Sequence, residues 1–203
     1  MSSPFYPPLL GDTFLQFGEA KEKICGFIQI NGSKSQQKVD RGVNCNIMAH
    51  ALLSDIEIEK VRTLLLEEEG IDYSAQVIRH WLKPSHLGHM EAPQGYAEIS
   101  RSCGDGMTLY LRILQERIVA AKFFSQGCIC TIAAANMASM LAEGRPVYDA
   151  FDIDARAITE ALGGLPEGEM HCAEMAGKAL HQALRSYLAY RKDSWKRAYR
   201  KPG

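Results

Sequence analysis

The chain has no apolar run approaching the roughly 18 residues that a membrane-spanning helix needs, so no spanning segment is expected. Its start, Met1-Ser2-Ser3-Pro4-Phe5, lacks a basic stretch followed by an apolar core, and the expectation is a protein without a secretory leader, placed in the cytoplasm. It also lacks a charge excess: 23 Lys and Arg against 24 Asp and Glu give a formal net charge of -1, which excludes a bulk pull toward nucleic acid or an anionic membrane. No Lys-Ser/Thr follows Gly163-Gly164, so these glycines predict a hinge rather than a phosphate loop. No His-Glu helix motif is present, which argues against a metal hydrolase. None of the six cysteines (25, 45, 103, 128, 130 and 172) belongs to a CxxC pair, and a 203-residue chain with 46% hydrophobic residues can bury one core without disulfide staples. In a reducing compartment such thiols are ligands, nucleophiles or core residues.

What is present falls into three stretches. Residues 1–70 predict a small appendage: a Pro-rich start, a short strand over Cys25 to Ile30, a short helix over Asn46 to Leu53, and a helix capped by the box Ser54 to Glu57. In that last helix Ile56, Val61, Leu64 and Leu65 form the apolar stripe, and Gly70 ends it. Residues 71–190 predict the main domain, and 191–203 a basic, solvated tail. A helix is expected over Asp72 to Leu82, then strands over Gly95 to Arg101, Met107 to Leu114 and Arg117 to Ser125. Helical periodicity follows from Cys128 to Gly144, a short helix begins at Pro146, Asp154 caps another, and a final helix spans Met170 to Arg191. Strands followed by helices predict an α+β domain with a three-stranded antiparallel sheet covered by helices.

Chemistry concentrates at Cys103-Gly104-Asp105, Gln126-Gly127-Cys128 and His171-Cys172. Cys128 and Cys172 stand at predicted helix starts, where unpaired N–H groups and the helix dipole favour thiolate, and a lowered pKa is expected at each. Cys103 lies at a turn between strands, with Asp105 in reach of the same centre. Three thiolates converging on one metal site is the prediction. Four thiolates would close such a site, whereas Asp105 or His171 as fourth ligand leaves an exchangeable position. Cys130 predicts a core residue, with a sulfur-relay role as the sharper alternative; Cys25 and Cys45 are read as structural or incidental. His86 and His89 are loop histidines for which surface exposure outweighs ligation.

These fragments, with Phe123-Phe124-Ser125 leading to Cys128 and with Ala161-Leu162-Gly163-Gly164-Leu165-Pro166, resemble the iron-sulfur cluster assembly scaffold family, that of NifU N-terminal domains and IscU. The resemblance covers residues 71–190 and includes Lys83-Pro84-Ser85-His86-Leu87-Gly88, similar to the family's opening turn. It implies a non-enzymatic scaffold on which a [2Fe-2S] cluster is built from iron and from the sulfur of a cysteine desulfurase, then passed to apo iron-sulfur acceptor proteins. Cys103, Cys128 and Cys172 would be ligands, Asp105 the residue that keeps the cluster labile, and His171 a fourth-ligand candidate. The long insertion of the zinc-dependent SufU branch is absent. The segment that is Leu-Pro-Pro-Val-Lys in IscU-type proteins here reads Leu165-Pro166-Glu167-Gly168-Glu169, with acid in place of the basic end, so docking of the specialised chaperone is not expected. A homodimer is compatible with this set. The alternative is a zinc-bound sulfur acceptor that stimulates a desulfurase, and a third is an interaction module without metal.

Overall fold

The structure is a computed structural model, and it describes residues 54–100 and 104–198. The strand expected at Cys25 to Ile30, the helix at Asn46 to Leu53, and Cys25, Cys45 and Cys103 lie outside the described residues. Those described belong to one compact unit that begins at Leu53.

Three antiparallel strands, β1 (Gly95–Ser100), β2 (Gly106–Leu114) and β3 (Arg117–Gln126), form a sheet in sequence order. Alternation decides its covered face: Met107, Leu109, Leu111 and Ile113 are buried, while Thr108, Tyr110 and Arg112 turn the other way. On β3 the buried positions are Ile118, Ala121 and Phe123, which breaks the period of two. The break is a bulge: the register shifts between Arg112 and Ile113, leaving Val119 as the extra residue. The β2–β3 hairpin closes through Gln115 and Glu116, both at positive φ (48° and 60°), the two-residue turn whose twist matches the strands.

Helices cover the buried face. Helix α1 (Asp55–Glu69) has the capping box of Ser54 and Glu57 and ends on Gly70 at φ 70°. It buries Ile58, Val61 and Leu65, whereas Ile56, expected on the apolar stripe, is 68% exposed. The stripe therefore runs through Ile58, one turn before Val61 and two before Leu65. Although the sequence groups α1 with the first 70 residues, it packs on α2 (Ala75–Leu82) within the described unit. Helix α2 starts three residues later than expected because Ser74 caps it, accepting from Val77 N–H (3.1 Å), which leaves Asp72 free to pair with Arg62 at 2.8 Å.

Helix α3 (Ile129–Ala142) is buried on almost every side, between α2, β3 and α5 (Met170–Ala198). That position explains its near-uniform apolarity, and within this helix only Met140 faces out, at 42% exposure. A short 3-10 helix over Asp149–Asp152 occupies the region where Pro146 predicts a helix start; Pro146 itself bridges to Arg117. Asp154 caps α4 (Ala155–Ala161) by accepting from Ala157 N–H at 2.8 Å. Helix α5 lies along β1 and β2 and continues to Ala198, beyond the expected end at Arg191. Arg191 is held to Glu116 and to the Tyr148 hydroxyl. Among the described residues no helix is long and apolar enough to cross a membrane.

Candidate metal centre

One end of the sheet gathers the chemistry. Pairing of Gly106 with Gln126 sets the start of β2 beside the end of β3, so Asp105 and Cys128, each just outside its strand, become neighbours. The Ser125 hydroxyl donates to the Gly106 carbonyl (2.9 Å) and fastens this end. Gly127 is required there: a Cβ would lie 2.9 Å from Thr131 Cγ2 and 3.1 Å from Asp105 Oδ1. Cys128 is the N-cap of α3, its sulfur accepting from Thr131 N–H at 3.4 Å. Cys172 enters from the first turn of α5, where its N–H donates to the Glu169 carbonyl (3.0 Å) and its side chain is fully buried.

The two sulfurs are 3.6 Å apart. Thr131 Oγ1 lies 3.3 Å from each and 3.2 Å from Asp105 Oδ2, to which it donates, so one hydroxyl ties the carboxylate to both thiols. Glu169 Oε2 lies 3.3 Å from Cys172 Sγ and 3.6 Å from Cys128 Sγ. His171 donates from Nδ1 to the Gly168 carbonyl (2.8 Å), and its Nε2 lies 3.4 Å from Cys172 Sγ. An imidazole anchored in this way through one nitrogen presents the other to a metal. Among the described residues two groups of three have ligand atoms within 4.8 Å of one another, Asp105–His171–Cys172 and Cys128–Glu169–Cys172, and Cys172 is common to both.

The thiols do not behave alike. The Cys130 thiol, then the Cys172 thiol, hold Cys128 far below an ordinary thiol, and its capping bonds act in the same direction. Cys172 is pushed up instead, by the neighbouring Cys128 sulfur first and by burial second. The expectation of a lowered value at both cysteines thus fails at Cys172: two thiolates at 3.6 Å repel, and the capping one takes the charge. Glu169 is also raised, by burial and then by Cys128. Four potential anions around one point make a pocket that a cation would stabilise, releasing the remaining thiol protons.

The sequence-predicted residues Asp105, Cys128, His171 and Cys172 are therefore brought together. Cys130 is 1% exposed within α3, in keeping with a core residue. His86 and His89 belong to neither group of three: His86 approaches Glu143 (3.4 Å), and His89 stacks on Phe124 with ring centres 4.7 Å apart. Thr131 and Glu169 were not anticipated. Thr131 stands three residues after a capping cysteine, the position whose side chain can meet the cap, and that spacing is the available signal.

Residues 72–194 match the family described as NifU-like N terminal domain. The iron-sulfur cluster assembly scaffold protein IscU 1 of Archaeoglobus fulgidus is 38% identical over 117 residues, covering 57% of this chain and 76% of its own. The IscU scaffold protein of Aquifex aeolicus is 31% identical over 122 residues (59% and 78%), and that of Azotobacter vinelandii 32% over 120 residues (57% and 93%). With its sheet, its helix-start cysteines and more than half its length within that match, the chain belongs to the family of NifU-like N-terminal domains.

Proposed function

We propose that this protein is an iron-sulfur cluster assembly scaffold, holding a [2Fe-2S] cluster as cargo and passing it to apo acceptor proteins. The observation that carries the reading is the convergence of Asp105, Cys128, His171 and Cys172 at one end of the sheet. Cys103, two residues before Asp105 in sequence, supplies the third thiolate. The chemistry the residues can perform is binding and release. Thiolates from Cys128 and Cys172 hold iron strongly, whereas Asp105, an oxygen donor, is a poorer match for a sulfide-bridged iron and gives a corner that exchanges.

Sulfur is supplied by a cysteine desulfurase; the exposed Gly104 follows Cys103 in sequence, and the exposed Glu167–Gly168 shortly precedes Cys172. Anaerobic incubation with iron, a desulfurase and cysteine tests the proposal. A visible iron-sulfide chromophore should form and move to an apo-ferredoxin with matching loss from the donor. Stimulation of the desulfurase by a zinc-loaded protein that never takes up iron would instead establish the sulfur-acceptor alternative.

A further inference from the structure

The ligand set proposed above leaves a central group without a task. Glu169 Oε2 makes a nearly equilateral triangle with Cys128 Sγ and Cys172 Sγ, with edges of 3.3, 3.6 and 3.6 Å. A four-coordinate ion with metal–sulfur bonds of about 2.3 Å and a metal–oxygen bond of about 2.0 Å sets neighbouring sulfurs about 3.8 Å apart and a sulfur and oxygen about 3.5 Å apart. The observed edges lie within about 0.2 Å of those values. A carboxylate drawn to the thiols by a simple hydrogen bond needs to approach only one sulfur; this one is shared between both.

We propose that Glu169 is a metal ligand, so that Cys128, Glu169 and Cys172 form three corners of a tetrahedral site for one divalent first-row metal ion, with the fourth corner open. The inference deepens the scaffold reading and rests on it for the natural ion, iron(II). The site is positioned by backbone: Glu169 N–H donates to the Pro166 carbonyl and its own carbonyl accepts from Cys172 N–H, both at 3.0 Å, while the cap of α3 fixes Cys128. Cys172 lies between this triad and the second one, Asp105–His171–Cys172. An ion held by Glu169 therefore leaves Asp105 and His171 on the shared sulfur for a second iron. When soft sulfide arrives, the carboxylate is the hardest donor of its triad and the one to give way. Glu169 stands where the resembled motif ends in lysine, so the site is a property of this chain rather than of that motif.

Cobalt(II) is the probe, titrated anaerobically into the full chain, with far-UV circular dichroism confirming that each variant is folded. Wild-type protein should give the intense visible bands of tetrahedral cobalt and a thiolate charge-transfer band. Glu169→Gln should weaken binding by about 10- to 100-fold, the range that even a partner one bond further from the metal is worth. Glu169→Cys should raise the charge-transfer intensity by one cobalt–sulfur bond, which a purely electrostatic role for the carboxylate would not produce. Unchanged affinity in Glu169→Gln, or no added charge transfer in Glu169→Cys, overturns the proposal. Iron and sulfide reconstitution of the wild type separates the two readings. A protein that takes no cluster but shows the cobalt results loses the scaffold function and keeps Glu169 as ligand; one that takes a cluster with Glu169-independent cobalt binding does the reverse.

Discussion

Thr131 and Asp105 show how single side chains set the behaviour of the centre. The Thr131 hydroxyl has one proton and three acceptors within 3.3 Å, and it donates to Asp105. That bond keeps the carboxylate turned toward the sulfurs. Asp105→Ala is expected to lengthen the lifetime of a reconstituted cluster and slow its transfer, because the exchangeable oxygen corner is gone; decay of the visible absorbance under a chelator measures it, and an unchanged lifetime would contradict the role. Cys128, His171 and Cys172 were legible in the sequence because helix starts and a His-Cys pair carry their own physical signature. Glu169 was legible only as acid replacing a basic end, since nothing in a linear pattern says that its carboxylate turns inward. The opposite shifts of Cys128 and Cys172 were not legible either, because the rise at Cys172 comes first from the Cys128 sulfur, 3.6 Å away on a segment 44 residues distant in sequence.

The elements work as positioning devices. Strand boundaries followed from alternation to within one residue of the structure at both ends of β2 and β3, and the helix caps at Ser54 and Asp154 followed from side-chain chemistry. The bulge at Val119 and the outward turn of Ile56 had no local signal, and α5 runs on past Arg191 to Ala198. Helix α5 can lie close on β1 because position 95 is glycine: a Cβ there would stand 2.7 Å from the Ala183 carbonyl oxygen and 3.2 Å from Leu111 Cβ. Gly95→Ala is expected to cost about 1–3 kcal/mol, the usual penalty of overpacking, read as a lower denaturant midpoint. A midpoint at or above wild type would show that α5 gives way freely. At the joint of α2 and α3, buried Asn136 donates to His80 Nδ1 (2.6 Å) and accepts from His86 N–H (3.0 Å). Burial first, then Arg79 and His86, lower the His80 pKa. The folded state thus keeps His80 neutral, and its contribution is present above the unfolded value of about 6.5 and lost as pH falls from there through the folded value. Thermal midpoints measured from about pH 7.5 to 5 should fall, and less steeply in His80→Gln; identical slopes would remove His80 from the account.

At the scale of the molecule, a single sheet end brings together Asp105 just before β2, Cys128 at the cap of α3, and Glu169, His171 and Cys172 around the start of α5, and the rest of the fold keeps them there. Burial of α3 on nearly all sides holds the Cys128 cap, and packing of α5 over the sheet holds the fully buried Cys172 beside it. Cavities or shifts in either helix would be felt at the metal centre before the fold is lost, since the ligands tolerate displacements far smaller than the core does. The central claim is that this centre carries iron and sulfide as cargo. Metal and acid-labile sulfide analysis of the protein purified without oxygen, after reconstitution with a desulfurase, tests it most directly. Iron and sulfide in equal amounts, lost together in a Cys128→Ala/Cys172→Ala variant that remains folded, is the expected result; zinc alone, with no sulfide and no visible chromophore, would contradict it.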